Sequence, residues 1–271
     1  MQTLRRGVGE AVKVVAAGAD AVRPGPPGLV ILIYHRIGGH TASAVDLATG
    51  LFDEQVAELA GSGRLVTLDE GIERLANGAL ADRPVVLTFD DGTSDWVEEA
   101  LPVLARHGAP ATFYVATDFV ERCVAFPGGG VPVSWSGLGE LLASGLVTIG
   151  SHTHTHALLD RAGGPVAAAE LERSVDLIGE RLGVACDHFA YPKALLGSPA
   201  AEAEVRARFR SATIAGSRAN PTGSDPHRLR RTPIQVADGM RWFRRKADGG
   251  LRLEDSARQL LNRGRYAGAT T

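Results

Sequence analysis

Cysteine is scarce in this chain: only Cys123 and Cys186 occur, with no C-x-x-C pair, which excludes a disulfide framework and a cysteine-built zinc site. Two unpaired thiols in a reducing compartment are the expectation. Long apolar runs are missing as well. Nowhere do about 18 apolar residues follow one another, as a membrane-crossing helix requires. Near the N-terminus Leu4, Val8, Val12 and Val15 recur at helical spacing, but Glu10, Lys13 and Asp20 interrupt any signal-peptide core. A cytoplasmic protein is therefore expected. Charge of one sign is lacking too. A formal net charge of −2 gives no reason to expect a nucleic-acid partner. There is no internal repeat and no low-complexity tract. Gly128-Gly129-Gly130 has no strand-to-helix context that would make it a phosphate cradle.

What is present is an ordinary globular composition, 44% hydrophobic and 22% charged, over 271 residues, enough for one domain with one substantial core. A Pro/Gly stretch, Arg23 to Gly28, separates a helical leader (1–28) from a body (29–240). In the body, apolar runs typical of buried parallel strands cover Leu29 to Tyr34, Val85 to Phe89, Ala111 to Ala116, Leu146 to Ile149, His188 to Tyr191 and Ala212 to Ala215. Helical patterns lie between them, from Trp96 to His107 ahead of Gly108 and from Pro165 to Leu182 ahead of Gly183. Strand and helix in steady alternation imply an α/β fold with a parallel sheet, and this many units in one domain suit a barrel. Chemistry then belongs at the C-terminal ends of the strands. From 241 to 271 a basic, helical pattern follows (Arg241, Arg244, Arg245, Lys246, Arg252, Arg258, Arg263, Arg265), read as a solvated face or an anionic-surface patch.

Two strand ends carry the chemistry. Val85 to Phe89 is closed by Asp90-Asp91-Gly92, adjacent carboxylates that repel one another unless a cation intervenes. Successive strand side chains point to opposite faces, so the chain must turn for both to reach one site, and Gly92 permits it. Asp-Asp-Gly is also good surface-turn chemistry. Leu146 to Ile149 is closed by Gly150-Ser151-His152-Thr153-His154-Thr155-His156. His152 and His156 can reach one ion if the intervening segment turns, and imidazoles with a carboxylate suit zinc while leaving a position for water. His154 is expected to point away.

Thr88-Phe89-Asp90-Asp91-Gly92 and Ser151-His152-Thr153-x-x-His156 resemble the first two motifs of the polysaccharide deacetylases, the NodB-homology carbohydrate esterases, over about residues 29 to 240. The resemblance implies a single-domain distorted (β/α)7 barrel. It implies Asp90 as general base, and Asp91, His152 and His156 as ligands of a divalent metal, zinc first, with cobalt, nickel or manganese as alternatives. It implies hydrolysis of an N-acetyl group on an amino sugar. In Phe189-Ala190-Tyr191-Pro192-Lys193, similar to a third motif, Ala190 replaces the arginine that orients the base, so that role is unfilled or filled from elsewhere. The Lys193 N–H matches the oxyanion donor, and Tyr191 is either a substrate residue or strand-end packing. The usual late strand ending in a catalytic histidine is absent. Ile31-Leu32-Ile33-Tyr34-His35 has its form, as in a circularly permuted subset, making His35 the acid. Arg36 and Arg231 are further candidates to assist the site. Loops such as Ala125 to Trp135, with Trp135 itself, would choose the substrate, and a lipid-linked or membrane-peripheral acceptor is one expectation.

Two rivals stand beside this. Asp91-Gly92-Thr93 looks like part of a haloacid-dehalogenase phosphatase motif, but Phe89 occupies the nucleophile position. A carbohydrate-binding relative without turnover is the other, although binding alone has no need of Asp90.

Overall fold

The computed structural model describes residues 2–23, 25–127 and 129–253, with side chains from Glu10 onward. The expected tail beyond 253 lies outside the described residues. In chain order the elements are α1 (Gln2–Val22), β1 (Val30–Tyr34), β2 (Arg36–Ile37), β3 (Asp46–Leu47), α2 (Thr49–Gly61), α3 (Leu68–Asn77), β4 (Val85–Asp91), α4 (Leu101–His107), β5 (Ala111–Val115), α5 (Thr117–Arg122), α6 (Trp135–Ala143), β6 (Val147–Ser151), α7 (Gly164–Leu182), β7 (His188–Ala190), α8 (Pro199–Arg208), β8 (Ser211–Ala215), β9 (Leu229–Pro233) and α9 (Gly239–Ala247). Seven strands close a parallel barrel in the order β1-β4-β5-β6-β7-β8-β9, with β2 and β3 forming a separate ribbon. This is the (β/α)7 barrel expected from the motifs. β1 pairs with β4 on one side and with β9 on the other, so the first strand closes the ring. No described helix is long and apolar enough to cross a membrane.

Apolar runs become strands here because both faces are covered. All five residues of β1 and of β5 are buried. On the outer face Tyr34, Phe89 and Phe113 stack with centroids 5.4 and 4.4 Å apart, and Phe52 of α2 and Trp96 close over them edge-on. With Phe89 committed outward, strand alternation sends Thr88 and Asp90 into the lumen. β4 runs two residues beyond its apolar stretch, through Asp91. The expected helix from Trp96 begins instead as a wide turn, Trp96–Ala100, where Leu101 N bonds Trp96 O, before α4. Pro102 in the next position has no N–H to donate back and marks the change of pitch.

Local signals stop and start the other helices. Thr67 caps α3 by accepting from Glu70 N, and Gly78 ends it in the left-handed region. Gly183 ends α7 in the same way. α9 is amphipathic: Trp242, Phe243 and Ala247 pack inward while Arg241, Arg244 and Arg245 face solvent. The leader helix α1 is fastened to it. Lys13 and Lys246 both bond the buried Asp238, Glu10 accepts from the Trp242 indole, and Asp20 accepts from Arg252. Cys123 and Cys186 are both free thiols.

Candidate active site

β4 ends in two carboxylates that would diverge in a regular strand. Asp91 adopts φ +88° and Gly92 φ +120°, a turn that swings the Asp91 carboxylate round to the side of the barrel mouth reached by β6. β6 ends in Ser151, and the chain then doubles back, with Thr153 at φ +63° and His156 at φ +61°. This turn presents both imidazoles to one point. Asp91 Oδ1 lies 3.7 Å from His152 Nε2 and 3.5 Å from His156 Nε2, and the three ligand atoms all lie within 4.8 Å of one another. Bonds of about 2.0–2.1 Å in a tetrahedral arrangement place donors roughly 3.4 Å apart, so the set fits a divalent ion with little adjustment.

The protonation states suit the same purpose. His152 Nδ1 donates to Ala190 O at 2.7 Å, which fixes the tautomer and leaves the Nε2 lone pair facing Asp91. Burial lowers the His152 pKa despite the nearby Asp90 and Asp91. Burial, with the positive Lys193 adding to it, pushes His156 from its ordinary 6.5 to about 3. Both rings are therefore neutral and able to ligate. Gly150 makes room beneath them: a Cβ there would stand 2.7 Å from the Tyr114 ring and 2.8 Å from His188 O.

Asp90 sits in the lumen next to this trio, its Oδ2 4.0 Å from His152 Nε2. Arg231, from the middle of β9, reaches across the barrel and grips it with two bonds, Nη1 to Oδ1 at 2.6 Å and Nη2 to Oδ2 at 2.8 Å. Nη1 also donates to Thr88 Oγ1, and the guanidinium lies 5.1 Å from the Tyr114 ring. Burial alone would raise the Asp90 pKa; the Arg231 charge and its hydrogen bonds outweigh that and hold the carboxyl at about 2. Arg231 thus stands against Asp90, which Ala190 cannot reach as an arginine would. Leu229 to Pro233 is a strand without the apolar run of the others, because Arg230, Arg231 and Thr232 stand in succession at its centre.

The remaining expected residues divide. His35 follows β1 at the register that sets Tyr34 beside Phe89, so it stands next to Asp90; its carbonyl accepts from the Trp96 indole at 2.8 Å, and its Nδ1 is buried without a hydrogen-bond partner among the described residues. Arg36 instead faces Asp95 at 3.7 Å. Lys193, with φ +53°, is exposed at the mouth beside His156. Tyr191 is fully buried against Phe189, the strand-end packing that is one of its two expected roles. Trp135 is also elsewhere. Its indole bonds Glu121, and it lines a groove of about 700 Å³ between α6 and α7 with Ser136, Arg181, Leu182 and Val184, a groove to which none of the Asp90 to His156 group contributes. His154 points away from the cluster toward Thr117 and Asp118, as its spacing implied.

Residues 77–212 match the family model for polysaccharide deacetylases. The chain belongs to this family. No curated protein matches it. Among solved structures, IcaB from Ammonifex degensii is 28% identical, with a TM-score of 0.69 over 80% of this chain and 97% of that one. The Streptococcus pyogenes deacetylase PplD, solved with acetate, is 23% identical over 80% of this chain and 97% of that one, at a TM-score of 0.68. A de-N-acetylase from Aggregatibacter actinomycetemcomitans is 19% identical over 80% and 99%, at 0.67. The last two speak for the fold of this deacetylase alone.

The buried rings have a consequence for stability. An unfolded His156 takes up a proton below its ordinary pKa of 6.5, whereas the folded one stays neutral to about pH 3. Acid therefore favours the unfolded chain across that window, by about 1.4 kcal/mol per pH unit from this residue. Asp90 adds stability above the ordinary 3.8 that is lost as pH falls toward 2. Urea unfolding of chelator-treated protein should show a steadily falling midpoint from pH 6.5 to 4, and a shallower fall in His156→Ala. Equal midpoints at pH 6.5 and 4.5 would contradict the buried neutral ring.

Proposed function

We propose that this deacetylase removes an acetyl group from the nitrogen of an amino sugar in a poly- or oligosaccharide or a glycoconjugate precursor, with a divalent ion held by Asp91, His152 and His156. The observation that carries the reading is the convergence of that donor set with a separately anchored carboxylate, Asp90, at one barrel mouth. When bound, the ion would lower the pKa of a water toward about 7 and polarise the acetyl carbonyl, zinc being the first choice for two imidazoles and a carboxylate.

The protein's own groups supply the rest. Asp90, locked by Arg231, presents an ionised oxygen beside His152 and takes the proton from the attacking water. Its low pKa makes it a weak base, so the geometry imposed by Arg231 contributes more than basicity does. The Lys193 N–H would donate to the oxygen that becomes negative. His35, across the mouth from the ligand turn, gives a proton to the departing amine, and acetate and a free amine leave. A binding relative without turnover would have no use for a buried carboxylate held ionised by a dedicated arginine, since desolvating that pair is costly.

Acetate release from N-acetylglucosamine oligomers, measured with and without chelator and in Asp90→Asn, tests the proposal. Chelator-sensitive release that drops by about 10²–10⁴ in Asp90→Asn is expected. Absence of release from a broad panel by metal-loaded protein would move the reading to the binding relative.

A further inference from the structure

The turn that carries both histidine ligands has a second anchor, which belongs to neither motif. Two of the five residues between Ser151 and Ala157, Thr153 and His156, hold positive φ, a conformation that side chains with a Cβ adopt only when the surroundings insist. At the crest of the turn the N–H groups of His154 and Thr155 point the same way. Both donate to one oxygen of Glu170, at 3.0 and 2.8 Å, while Thr155 Oγ1 donates to the other oxygen at 2.8 Å. Two successive N–H groups converging on one anion form a nest, and here a carboxylate from α7 occupies it. One helical turn further along, Ser174 meets Ser151 Oγ at 2.8 Å, and Ser151 Oγ in turn accepts from Thr153 N at 3.2 Å. Residues four apart share a helix face, so α7 clasps the turn at both its base and its crest.

We propose that Glu170 is a positioning residue for the metal site: its carboxylate holds the 152–156 turn in the strained conformation that brings His156 to the same point as His152 and Asp91. The proposal rests on the Asp91-His152-His156 metal reading and deepens it. His152 needs Glu170 least, because β6 and its own bond to Ala190 O place it. His156, beyond the crest, has only the turn to carry it to within 3.5 Å of Asp91. Without Glu170 the His154 and Thr155 amides would turn to water, Thr153 and His156 would relax toward negative φ, and the third ligand would leave the cluster.

The test uses the full chain, with Co²⁺ as probe, followed by calorimetry and by the visible spectrum of the bound ion, together with amide hydrogen exchange on metal-free protein. Glu170→Ala should weaken Co²⁺ binding about 10- to 100-fold, the range found when groups that orient ligands are removed. It should also speed exchange at His154 and Thr155. Glu170→Gln keeps an oxygen that can accept both N–H groups and should stay within about threefold of the parent, so rescue by shape rather than charge is expected. Glu170→Asp, one methylene shorter, should fall between them and serves if the alanine variant does not fold. His156→Ala, alongside, separates the two ideas. If it loses Co²⁺ while folded Glu170→Ala and Glu170→Asp bind as the parent does, the role of Glu170 is overturned and the metal site stands. If the parent binds no Co²⁺, both fall.

Discussion

Replacing Arg231 by Met is expected to unfold the protein roughly 10 °C earlier and to reduce kcat/KM by at least about a hundredfold. Arg231 and Asp90 are buried together, and the pair is bidentate at 2.6 and 2.8 Å. Removing one partner of such a pair strands a carboxylate without solvent, which costs about 3–5 kcal/mol. In a chain of this size each kcal/mol moves Tm by about 2–4 °C. Activity falls for a different reason. Freed from the guanidinium, Asp90 can rotate within the lumen, and burial then raises its pKa from about 2. The acid limb of the pH-rate profile should therefore move upward in Arg231→Met, which simple loosening of the barrel would not do. The double variant Asp90→Asn with Arg231→Met should regain part of the lost stability, because no charge is left unpaired. An unchanged Tm and acid limb in Arg231→Met would show that the guanidinium does not hold the base.

Asp238→Asn should be comparably damaging although it lies outside the site. Asp238 is held between Lys13 of α1, at 2.5 Å, and Lys246 of α9, at 2.7 Å, and all three are buried. Burial alone would raise the Asp238 pKa; the charges of Lys246 and Lys13 outweigh that and hold the carboxyl below its ordinary range. Neutralising it leaves two cations facing one another away from water, at about 3–5 kcal/mol, and denaturant unfolding would measure this directly. Adding Lys13→Met should recover part of the loss. By contrast, Arg244→Met, which breaks an exposed, solvent-screened pair with Glu58, should barely move the unfolding midpoint. Equal effects from the two substitutions would mean that water reaches the Asp238 cluster. The same trio explains why α1, read from sequence as a separate leader, is fastened against α9.

How much of this could be read in advance depended on distance along the chain. Asp90 and Asp91 are neighbours, and His152 and His156 are four residues apart, so composition at two strand ends was enough to nominate them. Arg231 is 141 residues from Asp90, in a polar strand that the apolar pattern does not mark, so the sequence offers it only as one of two arginines that could assist the site. Glu170 sits 15 residues from Thr155, on a helix whose sequence reads as an ordinary amphipathic surface. α3 has good start and stop signals in Thr67 and Gly78, but it and α2 lack the long run of periodic apolar positions seen in α7. Tyr191 and Trp135 illustrate the opposite case. Their chemistry suits sugar recognition, but one ring turned into the core and the other into the α6–α7 groove.

The sequence by itself determined the alternation of strand and helix, hence the barrel class, and the identity of the residues that crowd two strand ends. These are properties of spacing and hydrophobic pattern, which act over a few residues and survive in any environment. Only the tertiary structure decided which side chains converge: the closure of β9 onto β1 brings Arg231 to Asp90, and the packing of α7 against β6 brings Glu170 to the ligand turn. The reason is physical. A side chain's direction follows from local alternation, but what it meets is set by barrel closure, and buried charges are tolerable only where closure gives them partners.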